Sequence, residues 1–192
     1  MRLLLAIPLT VTLVAQTYEI RPAAGSRVAL EVFKTGLLSG KKHLFLFEKY
    51  SGKLHFDASA PERSRVELTI ETASIVCKDT WIGEKDIRKV METATGREML
   101  EVARYPAMRF VSTAVTRSGD GFEVRGGLTI RGQEHGVIVT VTMKPQGDGL
   151  QFNGKSEVRL KDYGLKPPSA ALGAIGTRNE MPVEFSVVAT RN

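Results

Sequence analysis

A single cysteine, Cys77, occurs in 192 residues. No intrachain disulfide can form, so packing alone must hold the fold. The thiol ends the apolar run Ile75-Val76-Cys77, which suits a buried small hydrophobe better than a nucleophile. Histidine is almost as scarce, and His43, His55 and His135 include no pair at a metal-ligand spacing. They read as surface or locally hydrogen-bonded side chains. The chain has no G-x-S-x-G elbow, no phosphate-cradling glycine loop and no dinucleotide fingerprint. No cofactor or metal is expected. An enzyme built on this sequence would need His43 or His135 to meet a carboxylate in an open cleft.

Long apolar runs are missing too, except at the start. Met1-Arg2 leads into residues 3–15, apolar apart from Thr10 and Thr12, and the small residues Ala15 and Thr17 offer cleavage positions. This is the pattern of a secretory signal peptide over residues 1–17, too short for a membrane span; an N-terminal strand or buried helix is the other reading. Residues 18–192 then make one domain with room for a core. Charge of one sign is also thin on the ground. Lys and Arg number 27 against 21 Asp and Glu, a formal +6, and the excess is scattered. With no basic arm and no interleaved aromatics, nucleic acid is not an expected partner. The modest positive field suits anionic head groups and a transient membrane contact, and it suits ordinary solubility equally.

What the chain has in abundance is alternation. Val28, Leu30 and Val32 share one parity; so do Leu54 and Phe56; so do Val66, Leu68 and Ile70. Met108 and Phe110 start another run that softens into Ser112 and Ala114. The stretch GFEVRGGLTIRGQEHGVIVTVTM over 121–143 holds two such runs about a short polar connection, a predicted hairpin. Leu150, Phe152, Gly154, Ser156 and Val158 form the next run, and Val183, Phe185 and Val187 the last. Glycine-containing turns at 50–52, 118–121 and 146–149 punctuate them. Eight or so strands of this kind predict an all-β antiparallel sheet, closed into a barrel or split into a sandwich.

One segment breaks the pattern. Ile87, Val90, Met91 and Ala94 recur at helical spacing, and Met99, Leu100 and Val102 continue beyond Gly96. The spacing predicts an interrupted helix, with Asp79 or Asp86 as its cap, resting over a barrel end or along a flank. Inward parity mixes Phe56, Phe110, Phe122, Phe152 and Phe185 with Gly126, Gly154, Ser112 and Ser156, which fits either a channel or a solid core. Tyr163 joins ring area to a hydroxyl, useful at the mouth of an apolar pocket, and Lys161 or Lys166 beside it could meet a phosphate. The Pro-, Gly- and Ala-rich loop 164–180 reads as an entrance flap or irregular cover.

Five segments in order carry a wider likeness: YSGKLHFD (50–57), VELTIETASI (66–75), GREMLEVARYPAMRFVST (96–113), GFEVRGGLTIRGQEHGVIVTV (121–141) and LKDYGLKP (160–167). Over residues 18–190 the chain resembles the YceI-like, or polyisoprenoid-binding, family of bacterial periplasmic proteins. The resemblance implies an eight-stranded, lipocalin-like antiparallel barrel with a helical segment near its opening. It further implies a periplasmic, non-enzymatic carrier of a long polyisoprenoid or quinone-like lipid. On that reading the ligand-facing candidates are Val28, Leu30, Val32, Phe110, Phe122, Val124, Gly126, Leu128, Val139, Val141 and Met143, with Tyr163 near the mouth. Lys34 stands where many relatives have a histidine, and Trp81-Ile82-Gly83-Glu84-Lys85-Asp86 replaces a common Arg-Asp pair; both departures bear on the head group. The alternatives are a protein-interaction domain without cargo, using loop 164–180, and a hydrolytic enzyme.

Overall fold

The computed structural model describes residues 16–191. The signal peptide expected over residues 1–17 therefore lies outside the described residues up to residue 15, while Gln16 and Thr17 belong to the first strand.

Eight positions around a ring account for almost every strand. Three positions are bent in two: β1 (Gln16–Arg21) with β2 (Arg27–Gly36), β3 (Lys42–Phe47) with β4 (Tyr50–Phe56), and β5 (Arg65–Glu71) with β6 (Ile75–Cys77). The other five are β7 (Ala107–Ser118), β8 (Gly121–Ile130), β9 (Gln133–Gln146), β10 (Gly149–Arg159) and, after the short β11 (Ile175–Thr177), β12 (Glu180–Arg191). Every neighbour is antiparallel and adjacent in sequence, an up-and-down meander. The last strand returns to the first: β12 pairs with β1 through Tyr18↔Arg191 and with β2 through Phe185↔Val28. This closes the sheet into a barrel, and a sandwich with free edges is excluded.

The longest connections gather at one end of the barrel. At the opposite end, Gly119-Asp120 and Gly147-Asp148 make tight turns with Gly119 at φ 54 and Gly147 at φ 55, a conformation that glycine adopts without a Cβ penalty. The antiparallel order puts residues 37–41, 78–106 and 160–179 together at the other. That end holds the helix α1 (Glu84–Thr95).

The helix is shorter than its spacing predicts. It stops at Thr95, and Gly96 begins a run of turns in which Glu101 takes φ 45 and its carboxylate accepts from Arg131 at 3.0 Å. Neither expected cap is used. Gly83 occupies the N-cap with no side-chain hydrogen bond, while Glu84 and Asp86 in the first turn suit the positive end of the helix dipole. Asp79 is drawn away to a different partner. No side chain of α1 is fully buried; Val90, Met91 and Ala94 pack against the barrel contents. Among the described residues no helix is long and apolar enough to cross a membrane.

Gly126 and Gly154 show how the wall manages its aromatics. A Cβ on Gly126 would stand 2.5 Å from Phe110 Cε2 and 2.5 Å from the Val111 carbonyl oxygen, and a Cβ on Gly154 would meet the Phe185 ring. Each phenyl ring thus lies over the glycine of the neighbouring strand, in the space a side chain would fill. Gly126→Ala is accordingly expected to destabilise the protein by about 1–3 kcal/mol, the usual range for overpacking, because a backbone carbonyl as well as a ring must yield. Chemical denaturation measures this, and an unchanged midpoint would contradict the packing described.

Candidate functional site: an apolar cavity with a polar end

The inward faces of all eight positions surround a cavity of about 470 Å³. That lies in the range of roughly 300–1,000 Å³ common for small-molecule sites. Ten of the twelve residues expected to face a ligand line it: Val28, Leu30, Val32, Phe110, Phe122, Val124, Leu128, Val139, Val141 and Tyr163. Gly126 does not, because the Phe110 ring lies across it. Met143 does not either. It follows Val141 toward the Gly147 turn, beyond the level where Phe56 and Phe122 meet edge to face at 6.4 Å.

Sequence reasoning missed a whole wall. His43, Phe45 and Phe47 of β3 all line the cavity, as do Val90 and Ala94 of α1 and Met99 and Leu100 after it. The parity of His43, Phe45 and Phe47 within GKKHLFLF was the available signal, masked by the apolar Leu44 and Leu46 between them.

Polar groups are distributed unevenly along this cavity. Lys34, His43, Lys89, Thr93, Ser169 and Thr177 line it at the helix end. Two serines on the inward parity are internally satisfied: Ser112 Oγ accepts from Val66 N at 2.9 Å beside a bulge, and Ser156 Oγ donates to Ile138 O at 2.8 Å. Arg65, toward the turn end, donates to the Glu62 and Ser64 carbonyls at 3.2 and 2.7 Å. The interior is therefore greasy along its length and polar at the helix end.

His43 and Asp79 form the most buried polar pair there, their side chains 8% and 1% exposed. The His43 Nδ1–H donates to Asp79 Oδ2 at 2.5 Å, and Leu44 N donates to Oδ1 at 2.8 Å, so both carboxylate oxygens are engaged. Trp81 stacks on the imidazole at 5.5 Å and donates its indole N–H to Lys42 O at 2.8 Å. The expected meeting of His43 with a carboxylate does occur, yet as a buried dyad whose carboxylate is engaged at both oxygens rather than in an open cleft. The Cys77 Sγ lies with the His43 and Asp79 donor atoms, all within 4.8 Å of one another, a set whose chemistry suits a borderline metal ion. Burial pushes the Cys77 thiol up, away from the thiolate a metal or a nucleophile needs. Burial also holds the Lys34 ammonium below its ordinary pKa, with Asp79 opposing that shift.

Tyr163 is the other singular group. It is 3% exposed, lines the cavity, and its hydroxyl has no hydrogen-bond partner. His135 meets its ring edge-on at 5.1 Å. Burial, then the nearby Asp162, raises the phenol from 10.0 to about 12. The group is a neutral donor at any physiological pH. Because the folded pKa exceeds the unfolded one, the stability linked to it is complete below pH 10.0 and is lost as pH rises toward about 12. Tyr163→Phe should flatten that alkaline decline. It should also stabilise the empty protein by about 1 kcal/mol, since an unpartnered buried hydroxyl is removed. Denaturant titrations at pH 8 and 11 test both; a variant as alkali-sensitive as the parent would contradict the assignment.

A closed meander around an apolar cavity defines a lipocalin-like barrel. The chain belongs to the YceI family: the model of the YceI-like domain matches residues 18–189. It is 32% identical over 129 residues to a UPF0312 protein of Pseudomonas savastanoi, covering 64% of this chain and 63% of that relative. It is 31% identical over 126 residues to Protein YceI of Escherichia coli, covering 62% of each. The matched region thus spans less than two thirds of these relatives' length. Among solved structures, BcnA of Burkholderia cenocepacia superposes with a TM-score of 0.71 at 23% identity, over 87% of this chain and 98% of that one. The YCEI protein of Campylobacter jejuni follows the same fold at 17% identity and a TM-score of 0.56, over 77% of this chain and 84% of that one.

Proposed function

We propose that the protein binds and carries a long-chain polyisoprenoid or quinone-like lipid, its tail along the barrel axis and its polar head at the helix end. The observation that carries this reading is the asymmetry of the cavity: apolar walls throughout, with Lys34, His43 and the unpartnered Tyr163 hydroxyl at one end. Burying hydrocarbon contributes about 0.8 kcal/mol per CH₂, so a few isoprene units outweigh the costs of association. Tyr163 offers a hydrogen bond to a carbonyl or phosphate oxygen of the head. Carriage takes place in the periplasm after removal of the leader. Cleavage after Ala15 suits the barrel best, since it spares the Gln16↔Phe56 and Thr17↔His55 pairs.

Native purification, organic extraction and mass spectrometry provide the test. A stoichiometric prenyl lipid is the expected result. Recovery of none, with no uptake of polyprenyl or quinone ligands by delipidated protein, rejects carriage and leaves a cargo-free interaction domain.

A further inference from the structure

Few large apolar side chains are left outside this barrel. Among the described residues they are Leu37, 79% exposed, Leu172, 110% exposed, and Ile138, 48% exposed. Single exposed hydrophobics are ordinary on any surface. Leu37 and Leu172, however, sit on two loops that are tied together at the helix end. Leu37 N donates to Ala174 O at 3.0 Å, and β11 pairs with the end of β2 through Ile175↔Gly36 and Thr177↔Lys34.

The backbone under Leu172 is strained. Ala171 and Leu172 take φ 50 and φ 53 in succession, a left-handed conformation that bulky L-residues rarely adopt. Leu172 gains no burial in exchange. A leucine held outward at steric cost, with nothing to pack on inside the chain, points to a partner outside it.

The two loops that carry these leucines hold charge of one sign. Residues 36–42 and 164–179 contain no aspartate or glutamate, but do contain Lys41, Lys42, Lys166 and Arg178. Glu31 pairs with Lys42, while Lys41 lies over the Trp81 ring at 5.7 Å and Arg178 over the Phe33 ring at 5.3 Å. Apolar tips set among cations and aromatic rings match the boundary between head groups and acyl chains of an anionic bilayer. The same loop that presents Leu172 also supplies Ser169 and Ala170 to the cavity wall.

We propose that this rim is a membrane-docking surface: Leu37 and Leu172 enter an anionic lipid bilayer while the neighbouring cations meet its phosphates, bringing the polar end of the cavity to the membrane. The purpose of docking rests on the carrier reading, but docking itself is measured without cargo. Flotation of delipidated protein with phosphatidylglycerol–phosphatidylethanolamine vesicles, and with phosphatidylcholine vesicles, is the experiment. Binding is expected to the anionic vesicles, weaker in about 0.5 M NaCl because salt screens the contacts between exposed cations and phosphates, and weaker on phosphatidylcholine. The double variant Leu37→Ser, Leu172→Asn should reduce binding by about tenfold or more, the scale of losing two inserted leucines. Asparagine tolerates the left-handed backbone, so the variant should fold. Ile138→Ser, on the barrel wall, should bind as the parent does. Uptake of a polyprenyl ligand from detergent should be unchanged in the double variant, and failure of uptake in the parent would count against carriage rather than docking. Absence of vesicle binding by the parent overturns the proposal, as does equal binding by the double variant or an equal loss in Ile138→Ser. A parent dimer in sedimentation that the double variant abolishes, with vesicle binding intact, would assign the rim to a second copy instead.

Discussion

Asp79→Ala is expected to lower the free energy of unfolding by about 3 kcal/mol, because it leaves a buried imidazole N–H and a backbone N–H without an acceptor. The donors concerned are His43 Nδ1 and Leu44 N, the second of which anchors β3 beside the segment leading to α1. The same change removes the negative charge that offsets the burial of Lys34. Asp79→Asn keeps an oxygen for Leu44 N and should cost less than half as much. Equilibrium denaturation in urea distinguishes the two variants. Equal and small losses would mean that the dyad contributes little, and that β3 is held by the Phe45 and Phe47 packing instead.

The second large effect concerns cargo. Leu128 lines the cavity and is only partly buried, so there is space beside it for a larger ring. Leu128→Trp should displace about four methylenes of any bound tail, which at about 0.8 kcal/mol each weakens uptake by about two-hundredfold. The fold should survive, in contrast to Gly126→Phe, where the Phe110 ring and the Val111 carbonyl already occupy the space. Ligand titration of delipidated protein, with a melting curve alongside, reads both quantities. Unchanged uptake by a folded Leu128→Trp protein would place the tail elsewhere.

Strands with one wet face were legible in the chain. The alternation in 121–143 maps onto β8 and β9, and that in 150–158 onto β10. β3 was obscured because Leu44 and Leu46, on the parity opposite to His43 and Phe47, are themselves half-buried, leaving no polar beat. β1 was obscured by its neighbour: its first two residues fall where the apolar N-terminal run of the sequence ends. The family likeness supplied ring closure, which periodicity could not, since a barrel and a sandwich use the same alternation. Of the site, the apolar walls could be read from parity and Tyr163 from its chemistry. The His43–Asp79 dyad could not, because its members stand 36 residues apart and only the β3–β6 pairing brings them together. Gly126 illustrates a subtler limit: parity gives its direction, but the ring lying across it comes from another strand.

The closure between β12 and the paired β1 and β2 has a kinetic meaning as well. Tyr18 finds Arg191, and Val28 finds Phe185, so the ring joins segments from opposite ends of the chain. Contacts so distant in sequence are slow to form, since loop entropy must be spent before they give any return. No partial chain emerging from a ribosome can complete the barrel until the residues of β12 are free. The topology itself thus delays closure of the ring until synthesis has reached the last strand, and keeps the chain open until then.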